Sequence, residues 1–398
     1  MGRQTLHTDI AILGGGIAGL WTLNQLRNRG YSAVLFEQRA LGSYQTMGSQ
    51  GMIHGGVKYA LAGTWSGSSQ TISAMPEIWR RCLSGKGKVD LSGCRVLSEH
   101  FYLWSNAALQ SRVTSFFASK VLRGRIRKLG AGEYPAVLAH PEFRGQVYRL
   151  TDLVIDVPSL LQTLASRHRD AIFAIDWQRA SLQQKGRRAM LVLADCTVVP
   201  EQLLLTAGAG NESLIGALGS RSPAMQRRPL QQVLVRHQYP ESFYGHCMGG
   251  NPSPRLTISS HHCLDGRPVW YLGGDLATAG ADQEPGRLID QARSELKELL
   301  PWIDFGKTEW ATLRLDRAEP RQSALLRPDS AFVGRLDSVD NALAAWPTKL
   351  TLGPDLADEI ERQLVAAGVL PRHQPDLAPL AGLGRPAVAS AYWDTLFP

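Results

Sequence analysis

Cysteine is scarce in this chain: Cys82, Cys94, Cys196, Cys247 and Cys263 are the only five in 398 residues. An odd, scattered set with no CxxC pair and no histidine at ligand spacing argues against a disulfide framework or a zinc site. No metal is expected, and the thiols fit a reducing cytoplasm. No run of about 18 apolar residues occurs, so no spanning helix is expected. The opening MGRQTLHTD is polar and has no apolar leader, which predicts a chain that passes straight into a strand. Acidic residues are outnumbered, 35 against 43 basic, giving a net charge of +8. That balance favours anionic ligands, but the basic residues are scattered and no base-stacking module is present, so no nucleic-acid partner is expected.

Glycine, in contrast, is abundant at 39, and three of these residues organise the first forty positions. Thr8 to Leu13 is a short apolar run of the kind that forms a buried parallel strand. It leads into Gly14-Gly15-Gly16-Ile17-Ala18-Gly19, a GxGxxG match. Leu20, Leu23 and Leu26 then follow at helical core spacing, with Gly30 past the helix end. A second strand, Ser32 to Phe36, closes with Glu37 and Gln38. In such a unit Gly14 allows the tight turn, Gly16 admits a pyrophosphate and Gly19 lets the helix pack on the strand. The helix start at Ile17 and Ala18 offers free N–H groups and a positive dipole end to phosphate. Glu37, 18 positions after Gly19, can hydrogen-bond a ribose and disfavours a 2′-phosphate. NADP is therefore the least suited dinucleotide, and this segment alone leaves NAD and FAD open.

The next segment is Gly48-Ser49-Gln50-Gly51-Met52-Ile53-His54-Gly55-Gly56-Val57-Lys58-Tyr59. It resembles the flavin-lining stretch of the D-amino-acid-oxidase-type superfamily, closest to its glycerol-3-phosphate dehydrogenase branch, with Lys58 where that branch usually carries Arg. Thr206-Ala207-Gly208-Ala209-Gly210-Asn211 is similar to the family's Ala-x-Gly-Ala turn, and Val154 to Leu161 to its strand-to-helix passage. Thr348-Lys349-Leu350-Thr351-Leu352 resembles a Gly-Gly-Lys-Leu-Thr helix start that meets the pyrimidine end of the flavin, with Trp346-Pro347-Thr348 replacing the glycines. The resemblance implies non-covalent FAD on a Rossmann-like α/β domain of the glutathione-reductase type. An interleaved α+β substrate domain with a mostly antiparallel sheet completes the expected fold. The matching segments assign 1–80, 150–235 and 325–365 to the FAD domain, 81–149 and 236–324 to the substrate domain, and 366–398 to a tail with an aromatic end.

The resemblance also supplies a substrate side. Trp310-Ala311-Thr312-Leu313-Arg314 is similar to the Trp-Ala-Gly-Leu-Arg stretch of glycine- and sarcosine-oxidase-like members, where arginine binds the substrate carboxylate. Arg317 and Arg321 rival Arg314 for that role. Arg327 to Gly334 resembles the family's return strand. Lys58 and Tyr59 are expected on the substrate face. His54 is the natural general base by residue type, although in the family this histidine chiefly positions the flavin; His261 and His262 are alternatives. The implied chemistry is hydride transfer to flavin N5 from an amino acid, 2-hydroxy acid or polyol phosphate, with oxygen or a quinone re-oxidising the flavin. A non-catalytic flavin-binding protein and a flavoenzyme acting on nucleic acid are the alternatives. Val113 to Leu129 mixes apolar and basic residues. As a helix it packs on the core or lies on an anionic membrane face, and Gly124 weakens the helical reading.

Overall fold

The computed structural model describes residues 4–56, 67–106, 126–250, 253–321 and 330–398. The N-terminal strand Gln4–Leu13 lies at the centre of an eight-stranded sheet, parallel to Ala33–Glu37 on one side and to Cys196–Leu205 on the other. Its alternation sends Ile10 and Ile12 to one face and Ala11 and Leu13 to the other, all fully buried. Both faces are therefore covered, as a parallel strand requires. On the first face pack the helices Ile17–Asn28 and Gly353–Ala366, the latter through Leu356, Ile360 and Leu364. On the second face Phe36, Phe173, Leu203 and Trp346 pack with Leu214, Ile215, Met225 and Leu380.

A second eight-stranded sheet carries the other half of the molecule. Six of its seven neighbouring pairs are antiparallel; the exception is Phe101–Ser105 against Tyr244–Met248. The helix Pro285–Leu299 covers one face, burying Leu288, Ala292, Leu296 and Leu299 against Val233, Val235, Ile258, Trp270 and Leu272. Period-two alternation turns Gln232 and Leu234 the other way, toward the first sheet. The α/β fold class with a mostly antiparallel second sheet is thus as expected. The strands divide as 4–37, 172–205 and 332–346 in the first sheet against 101–150 and 225–320 in the second. Met225–Arg236, which the segmentation at 235 groups with the dinucleotide unit, is hydrogen-bonded within the second sheet. Ile126–Lys128 is a strand of that sheet, not a helix, and the rest of the basic stretch lies outside the described residues. All five cysteines are buried and unbridged. No described helix is long and apolar enough to cross a membrane.

The two parallel strands place two glycine turns against each other. Gly14 adopts φ 113°, and a Cβ on it would come 2.5 Å from the Ala207 backbone. A Cβ on Gly19 would fall 1.9 Å from the Gly14 carbonyl oxygen. Gly→Ala in a helix interior ordinarily stabilises by about 1 kcal/mol. Gly19→Ala is expected to do the reverse and lower the urea midpoint, because the neighbouring atom is backbone. An unchanged or raised midpoint would contradict this packing.

Candidate active site

A cavity of about 620 Å³ runs from these turns to the second sheet, within the roughly 300–1,000 Å³ typical of small-molecule sites. At one end it is lined by Gly14, Gly16, Ile17 and Ala18. Gly16 caps the fingerprint helix without a side-chain hydrogen bond, and its first turn has no acidic residue. The positive end of the helix dipole is therefore left for an anion. Ile17 N–H is taken by Thr46 Oγ1 at 3.1 Å. At the end of Ala33–Glu37, the Glu37 carboxylate accepts from Gly15 N–H at 2.6 Å and from Arg39 N–H at 2.8 Å. Those bonds hold it at the cavity wall beside Gln38 and Arg39. Ala207 and Gly208 line the opposite turn.

The middle of the cavity is walled by Ser49, Gln50 and His54 and by Thr348, Lys349 and Leu350. Thr348 is the one non-glycine residue with left-handed φ, 60°, among the described residues. A β-branched residue there costs about 1–3 kcal/mol. Its Oγ1 donates to Ser330 carbonyl at 3.3 Å, and Lys349 N–H closes on Pro347 carbonyl at 2.7 Å. Thr351 lies just behind the wall, accepting from His54 N–H at 3.3 Å and donating to Met52 carbonyl at 3.2 Å. Gly51, Gly55 and Gly56 also lie behind it. A Cβ on Gly51 would meet Ile155 carbonyl at 2.1 Å, and Gly55 N–H donates to Asp152 at 3.0 Å.

The far wall is the second sheet. From Glu309–Pro320 come Leu315 and Arg317; from Met225–Arg236 come Arg227, Leu230 and Gln232. The strand period sends Arg314 to the opposite face from Leu315 and Arg317. Arg314 bonds the Ala281 carbonyl, sits 3.4 Å from Asp282 and is 54% exposed. Arg314, expected over the cofactor, therefore does not line the cavity. Arg317 does, with Nε 3.5 Å from Arg228 carbonyl. Lys58 and Tyr59 lie outside the described residues. Thr46, Arg39 and Arg227 carry no sequence signal; only the fold brings them to the cavity.

Over 9–345 the chain matches the family model described as FAD dependent oxidoreductase, DAO. The chain belongs to this family. It is 47% identical, over 99% of both chains, to a probable FAD-dependent oxidoreductase, PA4991, of Pseudomonas aeruginosa. The crystal structure of PA4991 superposes with a TM-score of 0.85, at 42% identity over 99% of each chain. At fold level only, glycine oxidase from Geobacillus kaustophilus aligns with TM-score 0.64 at 17% identity, covering 94% of this chain and 98% of that one. L-α-glycerophosphate oxidase from Mycoplasma pneumoniae, solved with FAD bound, gives 0.62 at 14%, covering 90% and 95%.

The cofactor of this oxidoreductase is FAD, and the cavity fits it. The helix start, with Ile17 N–H held by Thr46 Oγ1 but no acidic residue in its first turn, suits the pyrophosphate, Glu37 suits a ribose, and Ser49 Oγ is buried with no hydrogen-bond partner among the described residues. A buried hydroxyl in that state is costly unless a ligand meets it. Among the described residues no cluster of metal ligands occurs.

Above the Gln50 wall lies His261, which is fully buried. Burial pushes its imidazole down to about 4, with the Asp156 carboxylate opposing weakly. Below its unfolded value near 6.5 the unfolded chain takes up a proton that the folded chain refuses, so stability falls as pH drops toward 4. Relative to a His261→Gln variant, the wild type should lose about 2 kcal/mol of unfolding free energy between pH 7.5 and 5. Equal losses in urea titrations at the two pH values would contradict a neutral buried ring.

Proposed function

We propose that this FAD-dependent oxidoreductase oxidises a small anionic substrate, an amino acid, 2-hydroxy acid or polyol phosphate, with Arg317 as the anion clamp. The observation that carries the proposal is that Arg317 lines the cavity, on the strand face it shares with Leu315 and the paired Leu230. Bound FAD supplies a hydride acceptor at flavin N5. The chain's part is to hold and orient the donor carbon. Arg317 offers a permanently charged planar fork that fits a carboxylate or a phosphate. The leucines beside it exclude water, which strengthens the ion pair. Gln232, fixed by Tyr271 Oη at 2.9 Å, presents a polar edge for the substrate's hydroxyl or amine. His54, which lines the same cavity, is the residue type suited to receive the proton released there. Lys58 and Tyr59, four and five positions further on, are proposed to add an anion contact and a hydroxyl donor.

Glycine and glycerophosphate, the substrates in the names of two fold neighbours, both carry an anionic group. That is in keeping with an arginine-lined cavity. Oxygen or a quinone then takes the electrons.

The test is titration of the FAD-loaded protein with glycine, N-methylglycine, lactate and glycerol phosphate, read as perturbation of the oxidised flavin spectrum. With the ligand class that binds, Arg317→Leu should weaken affinity by about 10–100-fold, the worth of a lost charge-assisted bond. Arg314→Leu should stay within about twofold, as an exposed pair contributes little. The reverse ranking would sink the assignment of Arg317.

A further inference from the structure

Residues 387–398 reach the cofactor site from outside it. The helix Tyr392–Leu396 lays Trp393 flat on His261, with ring centroids 4.2 Å apart and planes at 20°. His261 Nε2 lies 3.0 Å from Ser259 Oγ, and Ser259 Oγ lies 3.2 Å from Gln50 Nε2. The direction of the Gln50 bond is set by chemistry. An amide nitrogen only donates, so Gln50 gives to Ser259, and the Ser259 hydroxyl and His261 Nε2 share the next hydrogen bond, its direction following the imidazole tautomer. Gln50 Nε2 gives a second bond, 2.7 Å, to Tyr271 carbonyl, and the Gln50 side chain lines the FAD cavity.

The same segment grips the loop on the other side of the cavity. Tyr392 Oη donates to Ser43 carbonyl at 3.0 Å. Leu41 N–H donates to Ala387 carbonyl at 2.8 Å, and Ala389 N–H returns to Leu41 carbonyl at 3.0 Å. Gly42 N–H in turn holds Gly15 carbonyl at 2.9 Å, inside the glycine fingerprint. At its far end the segment is anchored to the second sheet. Arg236 donates to Phe397 carbonyl at 2.9 Å with its guanidinium 5.2 Å from the Phe397 ring, and Leu264 N–H donates to Asp394 at 2.8 Å. One short stretch thus bonds both domains on either side of the cavity.

We infer that the C-terminal segment is a clasp for FAD, with Trp393 and Tyr392 as positioning residues that act through His261–Ser259–Gln50 and through the 41–43 loop. Neither residue lines the cavity. Their effect on the cofactor is through the groups they fix.

The experiment compares wild type, Trp393→Ala, Trp393→Phe and Tyr392→Phe. It measures the FAD dissociation constant by recovery of flavin fluorescence, the visible circular dichroism of bound flavin, and Tm with and without FAD. Trp393→Ala should weaken FAD about tenfold or more and change the flavin dichroism, and Trp393→Phe should recover most of the loss by keeping the stack. Tyr392→Phe, which removes one hydroxyl, should weaken FAD by about two- to tenfold. Since ligand affinity sets the gap between the two Tm values, that gap should narrow in the order of the affinities. A merely structural tail would lower both Tm values in parallel and leave FAD affinity and dichroism at the wild-type level. That outcome would overturn the inference. Should Trp393→Ala not fold, Tyr392→Phe decides alone, and wild-type FAD affinity in it would overturn the clasp equally.

Discussion

The contact on which the rest of the molecule depends is the meeting of two glycine turns at the ends of the parallel strands Gln4–Leu13 and Cys196–Leu205. Thr206 Oγ1 lies 3.1 Å from Leu13 carbonyl and 3.0 Å from Gly14 carbonyl, and Thr206 N–H donates to Leu13 carbonyl at 2.8 Å. Nothing larger than hydrogen fits on Gly14 or Gly19 at that point without moving backbone. The approach aims the start of the helix Ile17–Asn28 into the cavity. It also brings Ala207 and Gly208 to face it. The cavity end suited to a pyrophosphate thus follows from strand pairing and from the absence of two side chains.

The wall proposed to face the substrate has a different origin. It is one face of the antiparallel ladder between Met225–Arg236 and Glu309–Pro320, where Leu230 pairs with Leu315 and Arg228 with Arg317. The ladder also closes on the 48–54 loop: a Cβ on Gly48 would fall 2.1 Å from Leu315 Cδ1, so the leucine tip would have to turn aside. The same face also carries a buried ion pair. Arg228 bonds Glu319, which is 1% exposed and also accepts from Gln226 at 2.9 Å. Removing one partner of such a buried pair would leave the other charge uncompensated, which is strongly destabilising.

Legibility in the sequence followed the range of the interactions. The βαβ unit, its three glycines and Glu37 could be read because each acts within some forty residues and by local geometry. The passage at Asp156 was legible for the same reason: its carboxylate caps the helix Val157–Arg167 by accepting from Ser159 N–H at 3.0 Å. Arg314 against Arg317 was not, because which of two nearby arginines faces inward depends on pairing with a strand some 80 residues away, and a one-residue change of parity flips the face. Gln45 was hidden likewise, since its partner Ala318 is distant, and Thr46 was hidden although Ile17 is only 29 residues away, because no motif assigns a hydroxyl to that position. Thr348 shows the limit of motif matching from the other side. The backbone keeps the left-handed turn that suits glycine, although the residue is a threonine held by its neighbours.

The account's central claim is that this FAD cavity works on a small anion. An anaerobic titration tests it most directly, mixing the oxidised protein in turn with amino acids, N-methyl amino acids, 2-hydroxy acids and polyol phosphates. The account predicts that one of these classes bleaches the oxidised flavin band. A flavin that dithionite reduces but that every one of these classes leaves oxidised would contradict it.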